Sequence, residues 1–278
     1  MSRVRATTLL TGFVLGTLPC MAVQQAFLWT WNKASRKFPH LYHRSVLRWL
    51  GHRINVIGTP VSDKPCLIAA NHVSWLDIPV LSALTPLSFI AKKEVAHWPG
   101  FGALARLQRS VFIDRDRRHS TGSSRDEIKE RFEAGETIVL FAEGTSSGGV
   151  SVLPFKSAYF GAAEHPGVVI QPVTLAYRGH WGLPMNRRRR PSFAWYGDME
   201  MEPHLWGAML AGPIEVDIIC HPPTSIEQAG SRKAAAKYAE TMVRQGLEWA
   251  LSRRMESPSS QSAANRIGTP ATLELQTE

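Results

Sequence analysis

The chain has 278 residues, 44% hydrophobic and 20% charged, and its 32 lysines and arginines against 23 acidic residues give a formal net charge of +9. This is the composition of an ordinary globular protein, long enough for one large domain or two small ones, and the positive surplus favours an anionic partner: nucleic acid, an anionic membrane surface or a phosphorylated substrate. Three scattered cysteines, Cys20, Cys66 and Cys220, form no CxxC or Cys/His cluster, which argues against a disulfide framework or a zinc site and for a reducing compartment.

Arg3 and Arg5 precede an apolar stretch from Ala6 to Val23, interrupted by little except Thr and Gly. Eighteen helical residues span roughly 27 Å, near the hydrocarbon thickness of a bilayer. A signal peptide follows the same grammar. Against cleavage stand Pro19, expected to break the helix, and the aromatic cluster Phe27, Trp29 and Trp31, placed as in an interfacial belt. Lys33, Arg36, Lys37, Arg44 and Arg48 then alternate with Phe38, Leu41, Val46, Leu47 and Leu50. That mixture reads as a basic amphipathic helix suited to an anionic membrane face, with an ordinary packed surface helix as the alternative. Residues 1–52 are therefore expected to be membrane-anchoring helices, spanning or re-entrant, with the following domain on the basic, cytoplasmic side.

Residues 53–255 alternate strands and helices, predicting an α/β fold with a mixed sheet flanked by helices. Strands are expected at 54–57, 66–70, 88–91, 111–113, 137–141, 168–177 and 215–220, and helices at 78–84, 99–107, 124–134, 155–164 and 233–253. The tail, 256–278, is rich in Ser, Pro, Thr and Gln and is expected to be disordered.

Polar clusters follow three of these strands: Asn71-His72, Asp114-Arg115 and Glu143-Gly144. In open α/β sheets that edge is where sites are built. His72 falls on a strand-to-helix turn with Asp77 near the helix N-terminus, so the turn can fold the carboxylate back onto one ring nitrogen and leave the other as a base. Spacing alone equally allows Asp77 to be a helix cap.

Taken in order, these motifs resemble those of the glycerolipid acyltransferases of the lysophosphatidate acyltransferase type, over roughly Leu67 to Tyr177. Asn71, His72 and Asp77 match the family's Asn-His-x4-Asp. Phe112-Ile113-Asp114-Arg115 is similar to its second motif and Phe141-Ala142-Glu143-Gly144-Thr145-Ser146-Ser147 to its third. Val169-Ile170-Gln171-Pro172-Val173 resembles its fourth. The resemblance implies acyl transfer from a thioester, acyl-CoA or acyl carrier protein, to the hydroxyl of a lysolipid, without a further cofactor. His72 would be the base and Asp77 its orienting partner. Asn71, Arg115, Glu143, Gly144, Thr145 and Lys156 would serve substrate binding, with Arg115 on an acidic head group. Lysophosphatidate, giving phosphatidate, is the first acceptor so implied. One departure bears on it: Ser146 stands where the third motif carries an arginine that is thought to bind the acceptor's phosphate. Relatives that acylate lyso-ornithine lipid have a similar pattern followed by Leu-Pro-Phe-Lys-Ser, matched by Leu153-Pro154-Phe155-Lys156-Ser157, which makes that lipid the alternative acceptor.

Two readings from other classes are weaker. Gly144-Thr145-Ser146-Ser147-Gly148 fits G-x-S-x-G, but a serine-esterase elbow needs a helix directly after Ser146, and Gly149 and Pro154 follow. Arg187–Arg190 could form a nucleic-acid patch, yet no binding module surrounds it, so the expected partners are membrane lipids, an anionic membrane surface and the acyl donor, not nucleic acid.

Overall fold

The computed structural model describes residues 2–114 and 122–252. The expected tail and Arg115 lie outside them. Helices α1 (Arg3–Thr30) and α2 (Asn32–Leu50) come first. Then follow β1 (Arg53–Ile57), β2 (Cys66–Ala70), α3 (Asp77–Ser82), β3 (Ser88–Lys92), α4 (Phe101–Leu107), β4 (Val111–Ile113), α5 (Gly122–Glu133) and β5 (Thr137–Phe141). The chain continues through β6 (Val169–His180), β7 (Leu183–Pro184), α6 (Met201–Ala211), β8 (Ile214–Cys220), α7 (Ile226–Ala229) and α8 (Arg232–Ser252).

Most expected elements fall where the periodicity placed them, but the short β7 and α7 were not expected, and three further differences have a physical reason. Pro19 does not break α1, which runs through it. The turns on either side of Pro19 pack against α2, through a Thr17–Tyr42 hydroxyl pair at 2.7 Å and an edge-to-face Phe27–Phe38 contact, and such tertiary packing can outweigh one missing helical hydrogen bond. The helix expected over 155–164 is a 3-10 turn, Ser157–Ala163, because its start is pinned from outside: Phe155 N donates to Glu240 and Lys156 N to the Ala142 carbonyl. Finally, α6 was not expected; its apolar residues run almost all round it rather than along one stripe, so no helical period stands out.

The sheet has the order β1-β8-β6-β2-β5-β3-β4, with β7 on β6. From β6 to β4 all neighbours are parallel, whereas β8 runs antiparallel to β6 and β1 follows β8. Every residue of β2 and β5 is buried, as expected for central parallel strands covered on both faces. Alternate residues feed opposite cores: Leu67 and Ala69 join α5 and α8 residues on one face, and Cys66, Ile68 and Ala70 join α3 and α6 residues on the other. Ala70 is in register with Phe141 of β5 and Val173 of β6. The chain therefore leaves β2 and β5 side by side at one edge.

The α1–α2 hairpin is fastened to this body. Gln24 donates to the carbonyls of Ser35 and Leu107, His40 Nδ1 bonds the Ser82 carbonyl at 2.8 Å, and His43 bonds Gln108 at 3.0 Å. At the other end of the sheet, a register shift in β6 after Tyr177 directs Arg178 onto Asp217 of β8 (Nε–Oδ2 2.8 Å), whose other oxygen accepts from Asn55 of β1 at 3.2 Å. Arg178 and Asp217 are both buried. Removing one partner of such a pair strands a buried charge. Asp217→Ala should therefore lower stability by about 3–5 kcal/mol, read as a shift of the urea unfolding midpoint; an unshifted midpoint would mean that Arg178 finds another partner.

Candidate active site

The turn between β2 and α3 is built around one carboxylate. Asp77, fully buried, accepts four hydrogen bonds. His72 Nδ1 (2.7 Å), Val73 N (2.7 Å) and Ser74 N (3.0 Å) all bond Oδ2, and the Tyr177 hydroxyl from β6 bonds Oδ1 at 2.7 Å. Because the carboxylate points back at the turn, it makes no cap bond to its own helix. A buried carboxylate needs donors of this kind to stay ionised. With Nδ1–H donated to Asp77, the imidazole presents Nε2 with a free lone pair. The ring stacks on Phe141, the last residue of β5, with centroids 3.9 Å apart and planes 16° apart. The His72 side chain is 19% exposed, so this nitrogen can meet solvent or a substrate. These parts have the arrangement that a general base requires.

The segment after β5 closes the site from the side. Ala142 N donates to the Ala70 carbonyl, and Ser147 donates to the His72 carbonyl from its backbone N (2.9 Å) and its hydroxyl (3.3 Å). Gly144 has φ +74°, and a Cβ there would meet Lys156 Nζ at 2.9 Å and the Tyr159 ring at 3.1 Å. Only glycine suits both the left-handed backbone and the close approach. Glu143 is buried, and among the described residues neither carboxylate oxygen has a partner at full hydrogen-bond geometry. Burial pushes its carboxyl up to about 8; the backbone groups of His72 and Leu153 nearby pull it down, and the Asp77 charge raises it further. At neutral pH it is therefore mostly an uncharged acid.

Of the residues singled out from the sequence, His72, Asp77, Glu143 and Gly144 converge at this edge, and Lys156 joins them by packing on Gly144 with its ammonium 5.7 Å from the Tyr159 ring centroid. Thr145 is exposed on the turn. Asn71 has a different task from the substrate contact expected of it. It is buried, its amide donates to the Leu175 carbonyl (3.0 Å) and accepts from Leu175 N (2.8 Å), so it clamps β2 to β6 beneath His72. No histidine bonds Ser146 among the described residues, and irregular backbone with bends rather than a helix follows it directly, so the esterase elbow is not formed. No group of three or more His, Cys, Asp or Glu among the described residues could hold a metal ion.

Several contributors carried no sequence signal. Tyr177 completes the Asp77 cage from 100 residues away. Trp75, inside the turn, donates to Nδ1 of His204 on α6 at 3.0 Å, and His204 Nε2 bonds the Ala194 carbonyl at 3.2 Å. Burial lowers the His204 pKa, which keeps it neutral and able to accept. Arg190 donates to the carbonyls of Gly149 (3.1 Å) and Tyr177 (3.3 Å), tying the segment after β5 to β6.

A family model described as Acyltransferase matches residues 53–176. The chain is 42% identical to a lyso-ornithine lipid O-acyltransferase of Brucella abortus over 255 residues, 89% of this chain and 96% of that one. It is 37% identical to a 1-acyl-sn-glycerol-3-phosphate acyltransferase of Neisseria gonorrhoeae over 168 residues, 59% of this chain and 64% of that one. Among solved structures it is similar to the 1-acyl-sn-glycerophosphate (LPA) acyltransferase PlsC from Thermotoga maritima, with TM-score 0.64 and 25% identity, covering 92% of this chain and all of that one.

The Glu143 environment has a consequence for stability. Its folded value, about 8, lies above the ordinary 4.5, so the unfolded chain gives up this proton first as pH rises. The group's contribution is full below about pH 4.5 and is lost as pH rises through about 8. Glu143→Gln, neutral and of the same shape, should weaken the fall of the urea midpoint across that window. Equal slopes for variant and wild type would mean that Glu143 is already ionised in the folded protein.

Proposed function

The chain belongs to the acyltransferase family, and on that premise we propose that it O-acylates lyso-ornithine lipid from a thioester donor, acyl-CoA or acyl carrier protein, with His72 as the base. In the proposed reaction His72 Nε2 takes the proton of the acceptor hydroxyl as its oxygen attacks the thioester carbonyl carbon. The tetrahedral intermediate collapses, the carbon–sulfur bond breaks, and the leaving thiolate takes the proton from the imidazolium. Asp77 holds the ring by Nδ1 at 2.7 Å throughout and stabilises its transient charge. Phe141 fixes the ring plane from beneath. No covalent enzyme intermediate is required, since the alcohol attacks directly.

The acceptor is argued chiefly from Ser146. An uncharged, half-buried serine stands where a phosphate-binding arginine would be expected, and it cannot pair with a phosphate dianion as a guanidinium does. The near full-length similarity to a lyso-ornithine lipid O-acyltransferase supports the same choice. Lysophosphatidate is the second reading, favoured by the similarity to 1-acyl-sn-glycerol-3-phosphate acyltransferases. Lys156, exposed beside Gly144, and Arg115, outside the described residues, are the cations proposed for the acceptor's carboxylate or phosphate. Thr145, exposed on the same turn, is a further proposed contact.

Attachment to the membrane is assigned to the α1–α2 hairpin. Helix α1 is long and apolar enough to cross a bilayer, and Val14, Leu15, Leu18, Trp29 and Trp31 are exposed on or beside it. Yet α2 runs back along it, with Tyr42 beside Thr17 and Trp49 bonded to the Leu9 carbonyl. Crossing would carry the basic residues of α2 into hydrocarbon at about 2.5–3.5 kcal/mol for each one at the centre. We therefore read the hairpin as lying in one interface, with the α/β body on the cytoplasmic side that attracts its basic residues.

The test gives purified protein acyl-CoA and acyl carrier protein donors with lyso-ornithine lipid and lysophosphatidate in parallel. Turnover should be faster with lyso-ornithine lipid, and His72→Ala should lower it by about 10²–10⁴. Turnover with lysophosphatidate alone would replace the acceptor, and a fully active His72→Ala would remove the proposed base.

A further inference from the structure

Building on the membrane reading above, we propose that the β6–β7 hairpin tip and the arginine run behind it form a second membrane contact, fitted to an anionic bilayer surface. The hairpin turns at Trp181-Gly182. Trp181 has φ 54°, a left-handed conformation that a bulky side chain adopts only when its surroundings hold it. Here the indole N–H donates to the Ala211 carbonyl at the end of α6 (3.0 Å), and its ring lies against Gly212, where a Cβ would approach within 2.9 Å of three ring atoms. Even so, the side chain is 47% exposed, and Leu183 next to it is 67% exposed. A tryptophan and a leucine are thus presented outward on a fixed turn rather than on a mobile loop.

The tip is joined to the membrane-facing helix. The Arg5 guanidinium carbon stands 5.1 Å above the Trp181 ring centroid, a cation–π distance, so the hairpin tip and the first turns of α1 form one continuous surface. The run Arg187–Arg190 follows β7 and divides in two. Arg189 bonds Nδ1 of His180 at 3.1 Å and Arg190 bonds the Gly149 and Tyr177 carbonyls, so both are part of the fold. Arg187 and Arg188 are exposed and have no ion pair or hydrogen-bonded side-chain partner among the described residues. The exposed indole and leucine at the tip, followed four and five residues after Leu183 by two exposed guanidinium groups, give this segment the composition of an amphipathic edge. Aromatic and aliphatic side chains take the headgroup–acyl boundary while the cations meet lipid phosphates. The apolar pair would have no place against a nucleic-acid backbone. Two arginines at an anionic surface should favour it by about 30-fold in partitioning.

The experiment uses the full chain. Binding to phosphatidylcholine vesicles and to vesicles with added phosphatidylglycerol is compared at low and high salt, for wild type and R187S/R188S. The double variant should lose about 30-fold of its anionic-vesicle binding at low salt, keep its binding to phosphatidylcholine, and retain turnover on detergent-dispersed lysolipid. In a second arm, a bimane dye on Leu183→Cys is exposed to vesicles containing brominated acyl chains and should be quenched on binding. An unchanged anionic preference in R187S/R188S, or an unquenched dye on bound protein, overturns the second contact while leaving the α1–α2 attachment intact. Wild type that binds no vesicle overturns both. Loss of duplex-DNA retention in R187S/R188S with vesicle binding unchanged would assign the arginines to nucleic acid and overturn the proposal as well.

Discussion

The site depends on a buried carboxylate that must be satisfied. Asp77 sits where water cannot reach it, and a charge in that position persists only while donors surround it. Two of its four donors are backbone N–H groups of the turn it closes, one is the imidazole it orients, and the fourth is a tyrosine on the neighbouring strand β6. One electrostatic requirement thus shapes the turn, selects the histidine tautomer and docks β2 against β6. The fold supports each donor in turn. Asn71 locks β2 to the Leu175 backbone, Ser147 grips the His72 carbonyl, and Phe141 supplies the surface on which the ring lies.

That arrangement reaches as far as the α1–α2 hairpin. Helix α3 begins at Asp77 and ends at Ser82, whose carbonyl is bonded by His40 of α2 and whose hydroxyl is bonded by Gln108, itself held by His43. The hairpin that would rest on lipid and the short helix carrying the orienting carboxylate are therefore packed as one unit. For an O-acyltransferase with two amphiphilic substrates this has a physical advantage. Reacting groups that differ in position by an ångström can lose orders of magnitude in rate, and on the proposed attachment this packing would hold the proposed base at a fixed height above the bilayer.

On the proposed reading, selectivity and reaction have different origins at the same edge of the sheet. The proposed reacting apparatus is a hydrogen-bonded network in which the carboxylate, Val73, Ser74 and Tyr177 are buried and only His72 is partly exposed. The head-group contacts proposed beside it, Lys156 and Thr145, lie on an exposed turn, where one residue such as Ser146 can alter the charge offered to the acceptor without disturbing the Asp77 cage. Such a separation would allow family members similar over most of their length to bear names with different acceptors.

The sequence by itself determined the alternation of strands and helices, because buried strands such as Cys66–Ala70 and Thr137–Phe141 are continuous apolar runs ended by polar turns. It made the pairing of His72 with Asp77 possible, since a turn with four residues between them can bring the two together, and it exposed Ser146 as a departure from the family pattern. Only the tertiary structure decided what depends on long-range register. Nothing local marks Tyr177 as a partner of Asp77, His204 as the support of Trp75, or Arg189 and Arg190 as the hydrogen-bonded members of an apparently uniform basic run. Asn71 looked like a substrate ligand until β6 was placed beside it and consumed its amide. Pro19 looked like a helix breaker until α2 was packed along its helix. The reason is common to all of these. Side-chain chemistry and short spacings are written in neighbouring residues, whereas which strand lies beside β2, and which side chain then fills its hydrogen bonds, is settled only when the whole sheet has formed.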